Sequence, residues 1–444
     1  MSKFKQKLGK MSRQKRLYAL ETLPGHLADT VQGERLHQLL TDFDFIEAKL
    51  EALGVQALIE DYDLAIISDV LLSGEQGETL RLIQGAIRKS AHILEKDKTQ
   101  LAVHLWSRLV DFEIPEIQEI VEQAKHSRKS PCLWPLKPNL ERANEGALRT
   151  LVGHSSVVSA VAIAPDGKTA ISASRDETLK IWDTETGQEL KTLTGHSKSV
   201  NAVAIAPDGK TAISASEDQT LKIWDIETGS ELKTLTSHTF WVRAVAIAPD
   251  GKRALLASMD KTLKVWDIDS GTFLTTFTGH TDYVTGVAIA PNSLTAISAS
   301  KDRRLKVWDL LSGNELITLT GHTGYVKAVA IAPDRKTAVS GSSDKTLKVW
   351  NVESGTEIRT LIGHTEEVTA VAIAPNGRTA ISASSDKTLR VWDIDSGEEV
   401  ASFSGEDLFN CCAIASDGVT VVAGDALGWV HFLRLEGRGD LGDV

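Results

Sequence analysis

GHSSVVSAVAIAPDGKTAISASRDETLKIWD, residues 153–183, returns with few changes further along the chain on a fixed period of 42. The Gly-His pair stands at Gly153-His154, Gly195-His196, Gly279-His280, Gly321-His322 and Gly363-His364, and Ser237-His238 fills the remaining slot. Tryptophan falls on the same grid at Trp182, Trp224, Trp266, Trp308, Trp350 and Trp392, each followed by Asp except where Asn351 replaces it. Within one unit the runs Val158 to Ala164 and Thr169 to Ser174 flank Pro165-Asp166-Gly167-Lys168, and Asp-Gly between two β-type runs signals a hairpin. Thr178 to Trp182 alternates polar and apolar positions as a half-buried strand does, and Glu189 to Leu193 supplies a fourth strand. The unit therefore reads as a four-stranded sheet.

Such a repeat resembles the WD40 family, whose period implies one four-stranded blade per unit of a propeller. The expected fold is an all-β seven-bladed WD40 propeller over residues 147–435, preceded by a small all-α helical domain. The seventh unit is degenerate: Gly405-Glu406 replaces Gly-His, and Leu433 sits near the tryptophan slot. Cys411 to Ala415, Val419 to Ala423 and Trp429 to Leu433 give three strands. The run Leu148 to Leu151 matches Leu190 to Leu193 in position and is expected to supply the missing outer strand, since an unpaired edge invites aggregation.

The N-terminal region differs in kind. Apolar residues from Leu36 to Leu53 recur at helical spacing, Ser73 is a candidate cap for a helix running to about Leu94, and further helices are expected over Thr99 to Leu109 and Pro115 to Ala124. Residues 1–16 read as a basic tail, 17–125 as the helical domain, 126–146 as a proline-containing linker and 436–444 as a C-terminal tail. Leu23-Pro24-Gly25-His26-Leu27 and Leu39 to Leu50 resemble the helical arm that precedes propellers in bacterial relatives of the apoptotic protease-activating factor, signalling ATPases of the NB-ARC type. The resemblance implies sensing or autoinhibition in such a system, as part of a larger protein or free-standing.

Several patterns resemble catalytic machinery. His154, Ser172, Asp176 and Trp182 have the composition of a hydrolase triad, but the set recurs as His196, Asp218, Trp224; His238, Asp260, Trp266; His280, Asp302, Trp308; His322, Asp344, Trp350; and His364, Asp386, Trp392. Six copies suit a structural hydrogen-bond chain inside each blade, as in WD40 proteins, and not one active site. In the third unit Leu256 occupies the serine slot, so its chain is expected to be incomplete. Gly167-Lys168-Thr169 resembles the end of a phosphate loop, yet the glycine required five positions earlier is Ala162. Cys132, Cys411 and Cys412 have no zinc-binding spacing. No catalytic residue, metal or cofactor is expected, and the chain is read as no enzyme.

The net charge of −11, carried mostly by the repeats, argues against nucleic acid as partner. The segment Lys3 to Arg16 has seven basic residues and no acidic one; it reads as a solvated tail, with Phe4, Leu8 and Met11 as a weak membrane-surface alternative. The longest apolar runs fall short of a membrane span. No secretory signal is evident, and the chain is expected in the cytoplasm.

Variation among the repeats is confined to few positions. Val157, Ser159 and Arg175 of the first unit become Trp241, Arg243 and Met259 in the third, while the fourth has Tyr283, Thr285 and Lys301 and the fifth Tyr325, Lys327 and Ser343. In WD40 propellers the matching positions line one circular face, so Phe240, Trp241, Arg243, Met259, Tyr283, Lys301, Arg303, Tyr325 and Lys327 form the candidate rim for a protein or peptide partner carrying acidic groups. The favoured function is a non-catalytic recognition module, the sensor or scaffold of a signalling system. The alternatives are a regulatory or targeting subunit of an enzyme complex and a purely architectural scaffold. The residues leave the partner's identity and the oligomeric state open.

Overall fold

The computed structural model describes all residues except 1–3, 5–7, 68–73, 128–130, 139, 141–142, 144–152, 237–239 and 437–444. The chain divides into two compact units, residues 1–130 with 137–150, and residues 131–136 with 151–444.

The first unit is helical: α1 (Arg13–Asp29), α2 (Gly33–Leu40), α3 (Phe43–Leu53), α4 (Val55–Ile67), α5 (Gly74–Leu94), α6 (Leu101–Leu109) and α7 (Pro115–His126). The single periodic stretch from Leu36 to Leu53 is two helices, because the Asp42 carboxylate accepts from the amides of Asp44 and Phe45 and starts α3 afresh. Pro115 opens α7 at a position where its missing N–H costs nothing. The expected cap Ser73 lies outside the described residues. Leu36, Leu40, Phe43, Phe45, Leu58, Ile83, Leu105 and Ile117 belong to one apolar core. The reading of residues 1–16 as a solvated tail is corrected: Leu8 is buried in that core, the Phe4 ring meets Phe45 edge-on at 5.4 Å, and α1 already begins at Arg13. These apolar groups leave water while Lys10, Arg13, Lys15 and Arg16 stay exposed, so the basic charge does not oppose their burial.

The second unit contains seven four-stranded antiparallel sheets among the described residues. In the first blade Val158–Ile163, Thr169–Ser174, Leu179–Asp183 and Glu189–Leu193 run from inner to outer strand. Neighbouring inner strands pack against one another around the whole series, and the seventh contacts the first, so the sheets close into a ring. Apolar clusters lie between blades, as where Ile171, Leu179 and Ile181 of the first meet Val200 and Trp224 of the second. Each grid tryptophan is thus a wedge between two sheets.

The outer strand of the seventh blade is not Leu148 to Leu151, which lie outside the described residues. It is Cys132–Pro135, paired antiparallel with Val430–Glu436 in the register Leu133↔Leu435, Trp134↔Arg434 and Pro135↔Leu433. Leu133 and Trp134 are buried there, and a proline is tolerated because an edge strand has N–H groups that face no partner. The stretch read as linker therefore supplies a structural strand.

Candidate functional site

In five blades the repeated polar set forms one chain of hydrogen bonds. His154 Nδ1 lies 2.9 Å from Asp176 Oδ2, His154 Nε2 lies 2.7 Å from Ser172 Oγ, and the Trp182 indole N–H donates to that same oxygen at 2.8 Å. The sets led by His196, His280, His322 and His364 repeat this geometry within about 0.2 Å. Because indole can only donate and carboxylate only accept, protons run one way: Trp to Ser, Ser to His Nε2, His Nδ1–H to Asp. Burial lowers the pKa of His196, against the pull of Asp218, and keeps the neutral ring that this order needs. Burial pushes Asp218 upward, but the Thr220 hydroxyl and His196 outweigh it and hold the carboxyl at about 2. The serine hydroxyls are fully buried with oxygen and proton both engaged, so no substrate carbonyl can reach them.

The third blade departs from the pattern. Leu256 fills the serine position, and the Trp266 Nε1 atom has no hydrogen-bond partner. His238 lies outside the described residues. Phe273 stands where blades one, two, four and five carry a glutamate bonded to lysine, as in Lys222–Glu231 at 2.7 Å, and blade six one bonded to Arg390; Lys264 lies over the Phe273 ring at 5.9 Å. The seventh blade, too, is built otherwise: His431 Nε2 meets Asp425 Oδ2 at 2.9 Å with both side chains fully buried, and Leu433 takes the tryptophan position opposite Val421. Sequence reasoning missed this pair because its residues lie six apart on adjoining strands and off the grid.

The turn at Gly167-Lys168-Thr169 has Gly167 at φ 71° and the Lys168 amide bonded to the Asp166 carboxylate, a hairpin tip with no helix after it to cradle phosphate. Cys411 and Cys412 are buried, and burial raises both thiols, Cys412 to about 12. Among the described residues no group of three or more His, Cys, Asp or Glu is placed to hold a metal ion, and no helix is long and apolar enough to cross a membrane.

The variable positions have a defined geometry. Three residues after each histidine, the backbone carbonyl accepts from the first residue of the tight turn before the third strand: Trp241 from Met259 at 3.0 Å, Tyr283 from Lys301 at 2.9 Å, Tyr325 from Ser343 at 2.9 Å. This bond recurs in the other units, at Val157 and Arg175, Ser199 and Glu217, and Glu367 and Ser385. It places the two most variable residues of each unit side by side at one end of every blade. Phe240 is 57% exposed, Trp241 38% and Tyr325 45%. Tyr283, Met259 and Lys301 are half-buried, and Arg303 is exposed. Lys301 Nζ sits 5.2 Å from the Tyr283 ring centre and 5.6 Å from that of Tyr325, a cation bridging two aromatic faces on adjacent blades.

Five places after the histidine lies the extra residue of a β-bulge on the inner strand, seen as a register shift between Val242 and Ala244 and at the matching place in the other blades. A bulge re-aims one side chain. In alternate blades that side chain ties the ring together: Asn201 donates to the Val242 carbonyl, Thr285 to that of Val326 and Thr369 to that of Phe409. The two basic bulge residues point elsewhere. Arg243 reaches the Asn201 amide oxygen at 3.4 Å and Glu217 at 3.9 Å, and Lys327 pairs with Glu367.

The family model for the WD domain, G-beta repeat, matches residues 146–183, 187–225, 229–267, 271–309, 313–351 and 355–393. The chain belongs to the WD40-repeat family. Residues 1–127 match the APAF-1 helical domain, so the likeness seen from residue 17 begins at the first residue. The ribosome biogenesis protein YTM1 of Phaeosphaeria nodorum is 53% identical over 53 residues, 12% of this chain and 11% of that protein. The anaphase-promoting complex subunit cdc20 of Dictyostelium discoideum is 38% identical over 65 residues, 15% and 12% of the two chains. The small ribosomal subunit protein RACK1 of the same organism is 41% identical over 59 residues, 13% and 18%. The WD40 chain thus spans less than a fifth of the length of each of these three relatives. WD40 propellers are in general interaction modules, and this one, with its helical domain, is a protein-interaction module.

Proposed function

We propose that the propeller recognises a protein or peptide bearing acidic groups through the rim of blades three to five, and that the helical domain relays this event to an assembly in the cytoplasm. The observation that carries the reading is the exposure of Phe240, Trp241 and Tyr325 beside Met259 and Lys301 on blades whose fold accepts Ser199 or Glu367 in the aromatic slot. Large rings left in water at positions that do not need them are the residue types that dominate binding energies at interfaces. Lys301, held between two tyrosines, presents a fixed ammonium to a partner's carboxylate. Arg243 adds a second cation: burial and the nearby Arg175 act against its charge and Glu217 for it, so an incoming carboxylate is favoured there. The APAF-1-type helical domain supports a place in an NB-ARC-type signalling system as its sensor or scaffold part.

The test is affinity capture from the native host with the intact chain, in parallel with the Trp241→Ala, Tyr325→Ala double variant. A protein retained by the first and absent from the second supports the reading. Equal retention by both moves the interface off this rim.

A further inference from the structure

On the outer wall of the propeller, three of the junctions between blades are closed by a cation. Lys191 on the outer strand of blade one donates its ammonium to the Glu227 carbonyl in the last turn of blade two, and Lys233 does the same to Asp269 of blade three. Arg359 of blade five donates to the Asp395 and Ser396 carbonyls of blade six at 2.8 and 2.7 Å. In each case the aliphatic stem lies along the glycine of that turn. A Cβ added at Gly229 would meet Lys191 Cδ at 3.2 Å, and one at Gly397 would strike Arg359 Cδ at 2.4 Å. The carbonyls are fixed by the turn, so the cation finds its acceptors already in place.

The fourth blade carries Ile317 at this position. Its branched side chain starts along the same path, with Cγ2 2.6 Å from a Cβ built on Gly355, and then stops. Isoleucine has neither the length nor the donor to reach the Glu353 and Ser354 carbonyls, which match those of Asp395 and Ser396. A cleft of about 490 Å³ remains, with the apolar Leu316, Ile317, Val307 and Val352 and the charged Asp334, Arg335, Lys336 and Glu353 in its lining. Between blades three and four Thr275 is also short, but there the Phe277 ring lies against Gly313 and takes up the space.

We propose that the cleft between blades four and five binds a lysine side chain from a partner protein, in the way Lys191 and Lys233 fill their own junctions. The apolar lining takes the methylene stem, and the turn carbonyl of Glu353, which matches those of Glu227 and Asp269, takes the ammonium. The charges in the lining balance, Asp334 and Glu353 against Arg335 and Lys336, with Lys336 Nζ 3.8 Å from Glu353. Selection therefore rests on the stem and the carbonyl, not on long-range attraction. This site lies on the outer wall, and its existence does not depend on the reading of the rim.

The experiment is a titration of the isotope-labelled full chain with N-acetyl-lysine methylamide, followed by the backbone amide resonances of Glu353, Ser354 and Lys336. N-acetyl-norleucine methylamide, which keeps the stem and lacks the ammonium, is titrated alongside. The lysine probe is expected to shift these resonances saturably and to bind at least about tenfold more tightly than the norleucine probe. In Ile317→Lys, which supplies the missing side chain from within, the shifts should vanish while the rest of the spectrum stays in place. Equal binding of the two probes overturns the proposal, as does a lysine response that survives in Ile317→Lys or one that leaves these three amides unmoved.

Discussion

Trp266 and Leu256 belong to one apolar cluster between the second and third blades, packed where Trp224 and Ser214 are hydrogen-bonded one unit earlier. One blade thus keeps a buried indole N–H without an acceptor, while its neighbour satisfies the same group at 2.8 Å. Replacing Trp224 by Phe breaks a bond and strands the Ser214 oxygen, whereas replacing Trp266 by Phe removes a donor that has no partner. Trp224→Phe should therefore cost about 1 kcal/mol or more beyond Trp266→Phe, read from the urea midpoint of tryptophan fluorescence. Equal costs would show that the chain of bonds adds no stability.

Trp308 is 1% exposed and stacks on Phe277 with ring centres 5.5 Å apart, whereas Trp241 is 38% exposed on the rim. Trp308→Ala should lose about 3–5 kcal/mol through lost burial and an unfilled cavity. Trp241→Ala should stay within about 0.5 kcal/mol of the parent. Thermal melts of the two variants side by side check the distinction, and a large loss from Trp241→Ala would make it a core residue.

Acid should weaken the propeller in stages. Asp176, Asp218, Asp302, Asp344 and Asp386 all hold folded-state pKa values below that of the unfolded chain. Each contributes stability present in full above the unfolded pKa near 4 and lost as pH falls through the lower folded value; for Asp218 this is on the order of 2 kcal/mol. His196, lowered by burial, adds a loss that begins below pH 6.5, since the unfolded chain takes up that proton first. Urea midpoints at pH 8, 5 and 3 should fall slightly and then steeply. A midpoint unchanged down to pH 3 contradicts the assignment.

The blades were legible because the 42-residue grid repeats both the tryptophan wedge and the polar chain that holds it, so one unit explains six. Where the repeat decays, pattern matching misleads. Leu148 to Leu151 has the right place in the period, but Cys132–Pro135 pairs with the last strand and buries Leu133 and Trp134. Nothing in the period points to residues so far upstream of the first Gly-His. The bulge positions carried a similar trap: variation five places after the histidine reads as lining the rim, yet the Asn201, Thr285 and Thr369 side chains bond neighbouring blades. Sequence shows that a position varies and not what its side chain reaches.

The strand Cys132–Pro135 sets the expected effect of truncation. Removing residues 1–130 leaves Cys132–Pro135 in place, and the propeller should remain folded and monodisperse. Removing residues 1–136 uncovers Val430–Glu436 as a long apolar edge and should cause aggregation. Size-exclusion chromatography separates the cases, and equal behaviour of the two truncated chains would mean that this strand is dispensable for closure.

The measurement that tests the central claim most directly is calorimetric titration of the captured partner into the intact chain and into Trp241→Ala, Tyr325→Ala. Each truncated ring should weaken binding by roughly 2 kcal/mol, about thirtyfold in affinity, with melting temperature little changed. Binding to the parent should also weaken as salt rises, because Lys301 and Arg243 meet acidic groups. A double variant that keeps its fold and binds the partner at full strength would contradict recognition by this rim.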